Sequence, residues 1–211
     1  MPEATKQGTR DRLLTAACEV FAEKGYKNAT VAEICKTAEA NIASINYYFG
    51  GKESLYDEVW RHAFGLSSST YPLDANLPEH PQLEDFLYSY ANAVLHRIFD
   101  NGAAGFFPKL LRQEMAFPTL ALDRIAKDAL YPQSRFLGDH LRRKLGGHVP
   151  DEDIRRCIHS IIGQCVFYNF ATPIRNQVVG KRASIEKEIQ RTARHIARFS
   201  MGGLKNITDE S

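Results

Sequence analysis

Apolar residues recur at three- and four-residue intervals along most of the chain and nowhere alternate in twos, a pattern that predicts helices throughout and no strand. Leu13, Leu14, Ala17, Cys18 and Phe21 share one face of a first helix over roughly residues 9–24, and Gly25 follows where a C-terminal cap belongs. In "TVAE", Thr30 precedes Glu33 at the spacing of a capping box, and Val31, Ile34, Cys35 and Ala38 then keep one apolar face over about two turns. Glu39, Ala40 and Asn41 form a connection too short to fold back antiparallel, with Asn41 placed to cap a third helix from Ile42 to about Tyr48. Ile45 and Phe49 face inward on it, and Gly50 and Gly51 end it. A fourth helix starts at Lys52 and carries Leu55, Val59, Trp60 and Phe64.

Residues 67–81, "SSSTYPLDANLPEHP", hold three prolines and three consecutive serines without periodicity and read as a connection. Helical spacing resumes with Leu83, Phe86, Leu87, Tyr90, Val94 and Ile98, then in "FFPKLLRQEMA". A long segment from about Pro118 to Leu145 is expected to bend where Pro132 removes a backbone donor, and Gly146 and Gly147 stop it. Residues 151–171 open with three acidic residues, favourable at a helix N-terminus, and turn apolar on nearly every side from Ile158 to Phe170. Residues 184–200 are amphipathic, with Ile185, Ile189 and Ile196 on one stripe. The expected fold is all-α: a three-helix N-terminal domain (1–52), a larger helical domain (53–205) and a short tail (206–211).

The 211 residues suffice for a small domain joined to a larger one, and 44% hydrophobic with 25% charged residues is ordinary for a folded chain. No apolar run approaches the roughly 18 residues of a membrane span, and "MPEATKQGTRDR" lacks the apolar core of a signal peptide, so a cytoplasmic location is expected. Cys18, Cys35, Cys157 and Cys165 form no CxxC pair and are expected to be buried reduced thiols, with redox sensing the lesser alternative. The seven histidines include no pair at helical ligand spacing, so neither metal nor cofactor is expected. An enzyme is disfavoured by the lack of a phosphate loop, an HExxH sequence or a nucleophile elbow. The net charge of +2 is too small to argue for nucleic acid by bulk attraction, and residues 1–52 carry seven basic against six acidic side chains.

Local geometry argues differently. From Asn41 through Gly51 the chain has no charged side chain, yet it offers amide, hydroxyl and phenol groups. Three short helices with a tight step between the second and third make a helix-turn-helix, whose later helix enters a DNA major groove. Asn and Ser serve base edges and phosphates, tyrosine hydroxyls reach phosphates, and a carboxylate there would repel the backbone. Periodicity alone leaves a packed piece of a helical bundle equally open.

The phrases "AACEVFAEKGY", "TVAEICKTA" and "SINYYFGGKESLY" resemble the DNA-binding domain of the TetR family of transcriptional regulators over about fifty residues. Downstream, "KLLRQEMAFPT" and "IIGQCVFYNF" look more like the subgroup with a CecR-like C-terminal domain. The resemblance implies a homodimeric repressor, released from a palindromic double-stranded operator by a small-molecule effector. Carried over by position, it implies phosphate contact by Thr30, base-edge proximity for Asn41, Ile42, Ala43, Ser44 and Asn46, and backbone contact by Tyr47, Tyr48 and Lys52. Two residues depart from the family pattern: Glu39 stands where glycine is usual in the turn, and Asn46 where an aromatic residue is commoner. Lys6, Arg10 and Arg12 are read either as an arm reaching DNA or as solvated charges at a frayed end.

The apolar helix 151–171 needs cover on two faces, which a partner subunit's copy of it and of 184–200 would supply as a four-helix interface; burial wholly within the monomer is the alternative. His96, Phe99, Phe107, Arg112, Tyr131, Gln164, Tyr168 and Asn169 combine aromatic and isolated polar character and are the candidate effector contacts, each also open to a plain core or interface role. Head motion is expected to pass through the helix starting near Lys52, with 67–81 as the flexible element. The eight basic against two acidic residues at 175–205 read as a solvated face rather than a second nucleic-acid surface. A dimeric ligand-binding protein without specific DNA binding remains the alternative function.

Overall fold

The structure is a computed structural model that describes residues 3–75, 77–146, 148–179 and 185–209. Ten α-helices are found among them, and no strand: α1 (Glu3–Asn28), α2 (Val31–Thr37), α3 (Ala43–Phe49), α4 (Lys52–Thr70), α5 (Leu83–Phe99), α6 (Phe106–Ala116), α7 (Leu122–Ile125), α8 (Tyr131–Leu145), α9 (Asp151–Val179) and α10 (Ile185–Asp209). A 3-10 turn (Ala103–Gly105) precedes α6, and a π-helical stretch (Ala126–Leu130) precedes α8.

Two compact units result. One takes Met1–Ser69 with Asn101–Ile125, the other Thr70–Asp100 with Ala126–Ser211. In the first, the fully buried Leu13, Phe21, Ile34, Ile45, Leu55 and Leu110 come from α1, α2, α3, α4 and α6. Helix α6 packs on α1, where Gln113 Nε2 donates to the Glu23 carbonyl at 3.0 Å. In the second unit, α5, α8, α9 and α10 bury Phe86, Leu87, Tyr90, Leu137, Leu141, Ile154 and Ile161 in one cluster, and a neighbouring cluster joins Ala91, Leu95, Cys165, Ile189, Ala193 and Ile196. In this division α4, α6 and α7 group with the first three helices, and α6 packs on α1 and contributes the buried Leu110.

Several expectations change in detail. Helix α1 begins six residues earlier than its apolar face suggests and is interrupted at Gly25 (φ 72, ψ 167) before a last turn to Asn28. Helix α4 runs through the serines to Thr70, since Ser67 lies seven residues after Trp60 on the buried face and is itself fully buried. Pro132 sits in the first turn of α8, where its missing donor costs nothing, and the irregular segment is the π-helical stretch before it. Residue 184, expected to open the last helix, lies outside the described residues, whereas 206–209 of the expected tail continue α10.

Candidate nucleic-acid interface and ligand-binding residues

The α2–α3 step is fixed by local bonds. Thr30 caps α2: its Oγ1 accepts from the Glu33 amide at 3.2 Å, while Glu33 Oε2 accepts from the Thr30 amide at 3.1 Å. Lys24 reaches the same carboxylate at 2.6 Å. That hydrogen bonding lowers the Glu33 pKa, chiefly through Lys24, and raises that of Lys24. At the other end of α2, Glu39 adopts φ 49, and the Ala40 amide donates to the Cys35 carbonyl at 2.9 Å, the six-to-one bond of a Schellman cap. Glutamate thus takes the left-handed position that usually calls for glycine, and the turn is kept.

Asn41 starts α3 by accepting from the Ala43 amide at its Oδ1, 2.9 Å away, and from the Ser44 amide at its carbonyl. Gly50 ends the helix in the left-handed region (φ 77), its amide donating to the Asn46 carbonyl at 3.0 Å. Ile45 and Phe49 are buried, as their spacing predicts. Asn41, Ile42, Ala43, Asn46 and Tyr47 are exposed, Tyr47 at 67% and Ile42 at 58%, while Ser44, Tyr48 and Lys52 are half-buried. Tyr47 and Tyr48 pack edge to face at 4.8 Å. Helix α3 therefore presents amide, phenol and methyl groups on a rigid two-turn scaffold, with no carboxylate among its residues.

Around that face, Thr30 is exposed but its hydroxyl already serves the cap. Lys52 lies over the Tyr26 ring at 4.5 Å, and burial lowers its pKa. Arg10 pairs with Glu58 and sits over the Phe49 ring at 5.0 Å; Arg12 Nε donates to the Ala38 carbonyl at 3.2 Å. Both arginines are thus held on the head itself and are not charges at a frayed end; the Lys6 side chain lies outside the described residues.

A hydrogen-bonded hub underlies the head. Glu114, 1% exposed, accepts from the Tyr56 hydroxyl at 2.9 Å and from both the amide and the hydroxyl of Thr119 at 2.7 Å. Burial, the largest cause, drives the Tyr56 phenol above its usual range, so it stays protonated as a donor. The break at Gly25 faces α6: a methyl group there would lie 3.3 Å from Gln113 Oε1 in addition to the strained φ.

The eight candidate effector contacts do not share one compact unit. Phe107 and Arg112 lie on α6 in the first, Phe107 buried and Arg112 half-buried. In the second, Phe99 and Tyr168 pack against the Leu95–Cys165–Ile196 cluster, and Asn169 is buried. His96 stacks on Tyr71 at 5.2 Å, with its Nε2 3.6 Å from Glu186. Tyr131 is 64% exposed. Gln164 is half-buried and donates to Ser200 Oγ at 3.2 Å, on a groove between α9 and α10 lined also by Ser160, Phe199 and Gly203. Among groups with no hint in the sequence pattern, Arg97 is 4% exposed and donates to the Tyr71 carbonyl and to Gln133 Oε1. Burial lowers its pKa to about 10, which leaves it charged at neutral pH.

A capped three-helix head whose last short helix turns an uncharged polar face outward defines the helix-turn-helix class of proteins. Residues 13–59 match the profile described as bacterial regulatory proteins, tetR family, and residues 83–204 match that of the C-terminal domain of the HTH-type transcriptional dual regulator CecR. The chain belongs to the TetR family of transcriptional regulators, in the branch that carries the CecR C-terminal domain. Among curated relatives, the HTH-type transcriptional repressor NicS of Pseudomonas putida is 34% identical over 39% of this chain and 41% of its own length. The probable HTH-type transcriptional regulator YttP of Bacillus subtilis is 39% identical over 39% and 40% respectively. These matches thus span about two fifths of each relative. The solved structure of the transcriptional regulator FadR from Bacillus subtilis has the same fold, with a TM-score of 0.69 at 16% identity over 92% of this chain and 98% of that one. The family is one of regulators, not enzymes.

Proposed function

We propose that this chain is a homodimeric, sequence-specific repressor that leaves a palindromic operator when a small molecule binds. The observation that carries this reading is the exposed, uncharged face of α3, held rigidly by Asn41 and Gly50. In this reading residues 1–52 read DNA, with Asn41, Ile42, Ala43, Ser44 and Asn46 near base edges, Tyr47, Tyr48 and Lys52 on the backbone, and Thr30 on a phosphate. Residues 53–205 serve dimerisation and effector binding, 206–211 form the tail, and the chain acts in the cytoplasm. No helix of the described residues is long and apolar enough to cross a membrane.

The exposed side of α9 and α10 supports the dimer. Phe167 and Phe199 are 66% and 67% exposed, and a methyl group built on Gly163, Gly202 or Gly203 meets nothing within 4 Å. Each glycine in a helix interior costs about 0.5–1 kcal/mol, and packing among the described residues gives no reason for three of them. A partner helix approaching closely over the glycines, with the phenyl rings buried beside them, supplies one.

Selection from a random duplex pool tests the reading. We expect a palindrome with half-sites one DNA turn apart, and Asn46→Ala to cost about 1–3 kcal/mol per half-site while relaxing preference at one or two positions. A pool that enriches no sequence at moderate salt would overturn it.

A further inference from the structure

Helix α4 carries a buried face that its own unit leaves chemically unfinished. The Oγ atoms of Ser67 and Ser68 and the Nε1 of Trp60 are buried and make no hydrogen bond among the described residues, with Ser67 fully buried and Trp60 5% exposed. The indole N–H comes close enough to the Tyr56 oxygen to favour the phenolate, but not in hydrogen-bond geometry. A buried donor or acceptor without a partner gives up its hydration for nothing in return, and a helical serine could shed that cost by becoming alanine. Three such groups on one helix, the two serines side by side and the indole two turns before them, are therefore a feature to be explained by something that binds there.

Rings define the rest of the surface. Trp60 meets Phe107 edge-on at 5.8 Å, and Phe107 meets Phe64 at 5.1 Å. Phe64 lies between Trp60 and the serines along the helix. The charged residues of α4 lie elsewhere, with Arg61 and His62 exposed. Trp60 and Ser67 are seven residues apart, a rise of about 10 Å.

Resting on the repressor reading above, we infer that this face of α4, with Phe107 of α6, is an effector subsite for a neutral, flat aromatic molecule. Such a ligand carries hydroxyl or carbonyl groups near its two ends. One end takes the indole N–H of Trp60, the other meets the hydroxyls of Ser67 and Ser68, and the ring system packs against Phe64 and Phe107. The subsite lies in the same compact unit as the DNA-reading helices. From it a continuous row of rings, Phe107, Trp60, Tyr56 and Phe21, leads to the core of the head, and Tyr56 is also bonded to Glu114. Occupation at Phe107 thus has a packed route to α1.

Trp60 is the chain's single tryptophan, so its indole N–H gives one assignable resonance in a nitrogen-15 spectrum. The test titrates the full chain with 4,4′-dihydroxybiphenyl, with biphenyl and biphenyl-4,4′-dicarboxylate as controls, by calorimetry and by that resonance. We expect saturable binding of the diol with a downfield indole shift, and at least tenfold weaker binding of both controls. Ser67→Ala with Ser68→Ala should weaken the diol at least tenfold while leaving the melting temperature of the free protein unchanged or higher. A lower melting temperature, equal affinity in the double variant, or no saturable indole response in the parent overturns the subsite. Binding of the selected operator by the same free protein separates the two ideas: a chain that binds it but ignores the diol loses only the subsite, whereas a chain that prefers no duplex loses the repressor reading itself.

Discussion

Glu39 is the one non-glycine residue with positive φ among the described residues, and among them its side chain forms no hydrogen bond or ion pair that would reward the conformation. Left-handed backbone costs a residue with a Cβ about 1–2 kcal/mol, partly offset in any comparison with glycine by the greater freedom glycine has when unfolded. Glu39→Gly should therefore raise stability by roughly 0.5–1 kcal/mol, read as a higher denaturant midpoint at unchanged slope. The family pattern flags this residue in the sequence, but only the Ala40–Cys35 bond reveals that the cap survives the substitution. The four cysteines are similar: spacing predicts them reduced, and the structure adds that they are shielded. All four are buried, and burial raises every one of their pKa values, those of Cys18 and Cys165 to about 12. A chromogenic disulfide reagent should accordingly titrate no thiol rapidly in the native protein and all four after unfolding. Fast reaction of any native thiol at neutral pH would restore a redox role.

Helix α2 owes its start to the Lys24–Glu33–Thr30 cluster, whose charges are solvent-exposed and screened by salt. Glu33 has a lowered folded pKa, so its contribution is present above the carboxylate's unfolded value and disappears as pH falls through the folded one. Lys24 has a raised folded pKa, so its share is present below the ordinary lysine value and disappears as pH rises through the folded one. The cap is thus intact across neutral pH and weakens at both extremes. Glu33→Gln should flatten the acid side of a stability–pH curve, and an unchanged acid limb would show that the carboxylate contributes nothing. Caps of this kind are legible because partners lie three residues apart, and so is the inward pairing of Ile45 with Phe49. The extent of α4 is not legible in the same way: serines signal a loop by composition, while the face shared by Trp60 and Ser67 emerges only once the helix is built. Nor does any local pattern point to α6 packing on α1, since Gln113 and Glu23 are 90 residues apart.

At the scale of the molecule, the helix-turn-helix and the all-α class are readable from the sequence, but the burial of individual aromatic and polar side chains is not. Aromatic and polar character draws attention to Tyr131 and Gln164, one exposed and the other on the outward α9–α10 groove, while Arg97, Ser67 and Trp60 look unremarkable until burial is known. The dimer proposal is testable here. Phe167→Glu combined with Phe199→Glu should leave a folded monomer in sedimentation and weaken operator binding at least tenfold, because one head alone makes half of the phosphate contacts. A dimer that persists would move the interface elsewhere.

The membership of α6 and α7 in the first unit also bears on how the protein is made. The helices that would read DNA leave the ribosome well before residues 101–125, so α6, which packs on α1 and contributes the fully buried Leu110, arrives late. Until then the nascent head is an open-sided helical cluster, and a gene truncated just after α4 would encode one permanently. Such a fragment should be more prone to aggregate than its sequence alone suggests, and cotranslational folding of the head should register as a late event.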